Sequence, residues 1–218
     1  MNSLRKSINL KVVFKLIILF ISLLFFGCTQ NLPEITEVRS AVIFSYGDYE
    51  SLPNARLSIF VQSESDARRC ERISIKSLES GYVWETDKLK VISADGISWA
   101  GNANLVVPEY DKIPTGMYEI TYVNADGEQD KTYTQVLYNS ASYDTKGNDV
   151  SPLISNNGVL NIAIYDNNNI LLYFNEKTEE LQTDNDILMQ YNSAVSYQDI
   201  WISNDNSEVY MLPLKNLK

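Results

Sequence analysis

The chain has 218 residues, with 18 basic and 28 acidic side chains, a net charge of −10, two cysteines and no histidine. Without histidine the usual general base near neutral pH and the usual zinc ligand are missing, so Ser–His, Cys–His and Cys/His metal chemistry are excluded. An acidic chain repels phosphate backbones, which makes nucleic acid a poor partner.

Arg5, Lys6, Lys11 and Lys15 flank and precede an apolar run from Leu16 to Phe26, and no acid occurs before Glu34. A basic stretch followed by a short apolar core is the layout of a secretory signal. Crossing ~30 Å of hydrocarbon takes about 20 apolar residues, more than this run supplies. The run ends in LLFFGCTQN, Leu23 to Asn31. Gly27 followed by Cys28 resembles the bacterial lipobox, a motif cut just before a cysteine that becomes lipidated; Phe25 stands where leucine is usual, and Phe26 where a smaller residue is. The resemblance implies a signal peptide over 1–27, lipidation of Cys28 and a short tether over 28–33. It implies a lipoprotein of the bacterial cell envelope, anchored to a membrane by its N-terminal lipid. Thr29 is not the aspartate that marks inner-membrane retention in some bacteria, which favours the outer membrane; neither face of it is indicated. Several acyl chains together give stable anchoring. At ~3.3–3.6 Å per extended residue the tether reaches at most about 20 Å, so the folded part sits close to its membrane.

Loss of the signal removes 4 of the 18 bases, leaving 14 against 28 acids, a net charge of −14 for the mature chain. That disfavours a second, electrostatic contact with anionic lipid. Once Cys28 carries lipid, Cys70 has no partner within the chain, which excludes an internal disulfide framework. Cys70 is then a small apolar side chain, or a reactive or intermolecularly bridged thiol helped by Arg68, Arg69 and Arg72.

From Glu34 onward the apolar pattern has period two. In RLSIFVQ, Arg56 to Gln62, residues Leu57, Ile59 and Val61 share a face, and Ile73 and Ile75 repeat this in Arg72 to Lys76. The same reading predicts strands over 38–46, 82–85, 89–92, 105–107, 118–123 and 132–138. Turn formers bound them, among them Gly47-Asp48, Asp95-Gly96 and Asp126-Gly127. Short alternating strands with closely spaced turns predict an all-β, antiparallel sandwich or barrel.

Pro114, Gly116 and Tyr118, followed by Ile120 and Tyr122 and the Asp126-Gly127 turn, resemble the last hairpin of immunoglobulin-like and fibronectin-type-III-like domains. In those domains a tyrosine hydroxyl bonds back across the corner. The resemblance implies an immunoglobulin-like β-sandwich over 34–140, here without the inter-sheet disulfide, since Ile120 stands at the cysteine position.

Residues 138–157, crowded with Asn, Ser, Gly and Asp, read as a loop. Within the segment 141–218, Leu160 to Phe174 and Asp199 to Leu212 each read as a hairpin around an Asn/Asp-rich turn. Between them, Glu179 to Gln190 reads equally as a short helix or a strand. The last 61 residues are few for a free-standing fold, so this β-rich segment is expected to pack on the sandwich or extend one of its sheets. Pro213 suits an edge.

No phosphate-binding glycine loop occurs, and no cofactor is expected. Asp166 and Asn168 begin like a calcium loop, but Ile170 takes the third ligand position, so turn chemistry explains them better and no metal is assigned. Carboxylate pairs for glycoside hydrolysis are not legible in sequence among so many acids, and no catalytic residue is assigned. Fourteen tyrosines and three tryptophans supply either strand packing or a recognition surface. Trp84 and Trp99 read as packing residues, whereas Trp201, between Ile200 and Ile202, is the candidate ligand contact. The expectation is a non-enzymatic envelope module that binds a protein or glycan partner. The alternative is a periplasm-facing structural or assembly lipoprotein that docks on other envelope components.

Overall fold

Alternation becomes strand wherever the sequence shows it most plainly. The computed structural model describes residues 33–218 except 95, 109 and 110, and the protein is mainly β. Strands β1 (Ile35–Ser45), β2 (Asn54–Ser63), β5 (Lys90–Ala94) and β6 (Ile97–Leu105) lie in one sheet; β3 (Cys70–Ser77), β4 (Val83–Thr86), β7 (Gly116–Asn124) and β8 (Gln129–Val136) form a second. The second sheet runs β4-β3-β7-β8 and is antiparallel throughout.

The C-terminal strands β9 (Gly158–Asp166), β10 (Leu171–Glu176), β11 (Ala194–Ser203), β12 (Glu208–Met211) and β13 (Lys215–Asn216) continue the first sheet. Its path is β10-β9-β11-β12-β1-β2-β6-β5, with β13 on β11. The join is the β1–β12 pair, in register from Val42↔Glu208 to Ser45↔Met211, and it is parallel. The purely antiparallel expectation therefore fails at this one pair, and the sheet is mixed. Two strands far apart in sequence need no hairpin between them, so nothing forces them to run in opposite directions.

Two apolar clusters stabilise this arrangement. In the larger, Val42, Phe44, Leu57, Ile59 and Val61 of the long sheet meet Ile73, Ile75, Ile120 and Tyr122 of the short one. In the smaller, Ile162, Ile164 and Tyr197 of β9 and β11 pack with Leu181, Ile187 and Ala194. Ile187 belongs to the helix α2 (Asp184–Gln190), which resolves the open reading of 179–190 in favour of helix. Thr183 caps it reciprocally with Asp186, satisfying two main-chain donors of the first turn. The segment expected as a loop also holds 3-10 turns at Ser140–Asp144 and Gly147–Asp149 and a short helix α1 (Val150–Ile154). Pro213 lies in the break between β12 and β13, where its missing donor interrupts no ladder.

The predicted strand at 105–107 is misplaced, because the strand is β6 and ends at Leu105. Its sequence, ISWAGNANL, carries Gly101 and two asparagines, which hide the alternation.

Three tyrosines hold the approach to β7. Tyr118, fully buried, donates to the carbonyl of Pro114 at 2.6 Å. Tyr138 donates to the carbonyl of Ile113 at 2.7 Å, while the Ile113 N–H donates to the Tyr143 hydroxyl at 2.8 Å. Tyr118→Phe keeps the ring and strands that carbonyl, so we expect a loss of about 1–2 kcal/mol in urea unfolding with an unchanged m value. A loss below a few tenths would mean that solvent satisfies Pro114 unaided.

Candidate functional site

The two sheets leave one pair of strand edges facing each other. On β1, the Val42 N–H donates to Ser207 O at 2.8 Å and the Tyr46 N–H to Met211 O at 3.0 Å. Main-chain groups of 42, 44 and 46 therefore point at β12, and period two places those of Val38 and Ser40 on the same side. Pairing with β12 begins only at Val42, so among the described residues no strand ladder covers this edge at Val38 and Ser40. On β8, the last strand of its sheet, the reasoning is the same. The Asn124 N–H donates to Glu128 O at 2.9 Å, so even-numbered β8 residues face β7, and the main chains of Tyr133 and Gln135 face away.

These two edges run side by side in the same direction. The Ile35 N–H donates to Asp130 Oδ2 at 2.8 Å. Farther along, the Ser40 hydroxyl donates to Gln135 O at 3.4 Å and lies 3.5 Å from Thr134 Oγ1. Only side chains bridge the seam at these points.

Where the seam meets the Ser203–Glu208 turn it widens into a groove of about 720 Å³. One wall is β1 from Glu37 to Ala41, the other Gln135, Val136 and Leu137, and the turn residues 205–207 close one end. Ser58 and Phe60 of β2 complete the lining. Ser40, Ala41 and Ser58 are small enough to let another main chain come close. Leu137 is half-exposed at the rim. Arg39 lies over the buried Trp99 ring at 4.3 Å and donates to Glu37 Oε1 at 3.0 Å, which fixes its position.

Behind the same turn lies a smaller, polar concavity of about 400 Å³, lined by Asn139, Asn157, Asn204, Asp205, Glu208 and Tyr210 among others. The Tyr210 and Ser142 hydroxyls both donate to Glu208 Oε2 and lie 2.7 Å apart. Burial pushes the Tyr210 phenol well above its ordinary value, so it is a fixed donor and not a base. The Ser203 hydroxyl, helped by the Ser207 N–H, holds the Asp205 carboxyl below the usual carboxylate range. Asp205 lines both concavities and organises the turn between them.

Cys28, the lipidation candidate, lies outside the described residues. Trp201 is half-buried and packs against the main core, opposite Tyr210 and Leu160, and it lines neither concavity. Trp84 and Trp99 are buried. Burial pushes the Cys70 thiol up to about 11, which leaves it protonated at neutral pH and a weak nucleophile. Asp166 spends its Oδ1 on the N–H groups of Asn168 and Ile170, as a turn aspartate does. The sequence reading missed the seam, whose walls come from segments about a hundred residues apart and carry no local motif. It also missed an ion cluster in which Lys177 at 2.8 Å and Lys215 at 3.0 Å hold the buried Asp199.

No model of a known protein family matches the chain, and no curated protein matches it by sequence.

Proposed function

We propose that the protein is a lipid-anchored module of the bacterial cell envelope that binds a protein or glycan partner without turnover, through an immunoglobulin-like sandwich. The sandwich reading is supported by strand order. With β1 to β8 lettered A, B, C, C′, D, E, F and G, the long sheet contains A-B-E-D and the short one is C′-C-F-G, the arrangement of immunoglobulin-type domains. Tyr118, near the start of strand F and bonded back to Pro114, is the corner tyrosine. The anchor is supported by Gly27-Cys28 after the apolar run.

The observation that carries the binding role is the groove at the β1–β8 seam, with open main-chain edges beside it. Two experiments test the reading. Protease shaving of intact cells against lysed ones locates the domain, and cross-linking of the full-length protein in cells, followed by glycan-array binding, seeks the partner. A saturable ligand released unchanged supports binding; turnover lost on a single Asp or Glu substitution would replace it with an enzyme.

Cys28→Ala should abolish metabolic labelling with a fatty acid, and labelling that persists in this variant would refute the lipid anchor.

One observation favours the alternative of docking on other envelope components. Ile170 in the β9–β10 turn and Leu171 and Phe174 of β10, an end strand of the long sheet, are each about half exposed. If this hairpin is the docking point, Phe174→Asp will release a stoichiometric envelope partner that the seam variants retain.

A further inference from the structure

We propose that the seam between β1 and β8 receives an extended peptide of a partner protein, added as a strand to the open edge of β1. This rests on the binding-module reading and names its partner class. An alternating row of main-chain donors and acceptors, such as Val38 and Ser40 present, is complemented by another extended main chain. The same edge already receives a strand a few residues farther on, where β12 pairs in parallel from Val42 to Ser45. The open stretch directly continues that interface. Ser40, Ala41 and Ser58 leave room for a backbone to approach, while Phe60 and Leu137 give alternate side chains of the peptide apolar contacts. Ser40 ties Gln135 across the seam, so the peptide adds along the flank of β1 and does not wedge the sheets apart. The excess of acids over bases opposes a second copy in this place and favours a strand without acidic residues.

The test is selection of random heptapeptides on phage against the detergent-solubilised full-length protein, with Ser40→Pro as the discriminating variant. Proline at this position removes one donor that faces the groove and leaves the β1–β2 ladder its bonds. Selected peptides should lose at least tenfold in affinity on Ser40→Pro. In the unsubstituted protein, amide exchange at Val38 and Ser40 should be fast alone and slow with peptide bound, while the open edges of β5 and β10 stay unchanged. The exchange measurement needs no variant, so it decides the matter even if Ser40→Pro fails to fold. Failure to enrich any peptide, equal binding to Ser40→Pro, or slowed exchange only at other edges overturns the proposal. So does a concentration-dependent dimer abolished by Ser40→Pro, which would put a second copy in the seam. A cellular partner or glycan that binds Ser40→Pro undiminished overturns the seam alone and leaves the binding-module reading standing.

Discussion

Gly101→Val should destabilise the protein by about 4 kcal/mol or more, at the far end of the range for single substitutions. A Cβ at Gly101 would sit 2.1 Å from the carbonyl oxygen of Ile59 and 2.7 Å from the Cα of Phe60. Both obstacles are main chain of β2, in the centre of the long sheet, so no side-chain rotation relieves the overlap. The strands come this close where the β2–β6 register slips between Leu57 and Ile59, and a glycine there lets one backbone lie on another. Gly47→Ala is the control: nothing lies within 4 Å of its added Cβ, and its effect should stay within ±0.5 kcal/mol. In urea the midpoint of Gly101→Val should fall by roughly 1–2 M or more, given slopes of about 1–3 kcal/mol/M. Because Phe60 and Ser58 line the groove, the milder Gly101→Ala should also weaken whatever the seam binds. A midpoint within 0.3 M of the parent would mean that β2 and β6 can part without loss.

The same position shows why sequence reading reached some elements and not others. Leu57, Ile59 and Val61 announce β2 because their facing sheet demands an unbroken apolar row. In β6 the close backbone demands a glycine, and the alternation that would reveal the strand is lost to that demand. Tyr118 was legible because its corner is a local motif of five residues, Pro114 to Tyr118, that acts through one hydrogen bond. Helix α2 was nearly so: Thr183 and Asp186 stand at capping-box spacing, a signal that could have decided between helix and strand. The β1–β12 pairing joins residues 166 apart, as in Val42↔Glu208, and no local pattern encodes such a partner. The seam inherits that blindness, since its groove exists only once residues 37–41, 135–137 and 205–207 are brought together. Trp201 illustrates the converse. Singled out because it stands between two isoleucines, it shares a face with Tyr197 and Asp199 and is half-buried against the main core.

Asp199→Ala should cost about 3–5 kcal/mol, because it leaves a lysine ammonium buried without its counter-charge. The Asp199 and Lys177 side chains are 9% and 8% exposed, and Lys215, at 36%, completes the cluster from β13. Lys177 and Lys215 also lie 5.4 Å and 5.2 Å from the Tyr197 ring, whose face offsets part of the lost hydration. Lys215 can turn toward water when its partner is gone, so most of the loss falls on Lys177. Removing that charge as well should therefore recover stability: Asp199→Ala combined with Lys177→Met is expected to be more stable than Asp199→Ala alone by about 2 kcal/mol or more, a coupling that a double-mutant cycle reads directly. The Lys177–Asp199 pair joins the end of β10 to β11, and Lys215 fastens β13 to the same carboxylate, so the cluster holds the C-terminal part of the long sheet together. Amide exchange should accordingly quicken first in β9, β10 and β13 of Asp199→Ala, before the β3–β7 ladder changes. Equal quickening in both sheets would mean that the C-terminal strands and the facing sheets unfold as a single cooperative unit. If the double variant proved no more stable than Asp199→Ala, the stranded lysine would not be the source of the loss, and the cluster would act by packing alone.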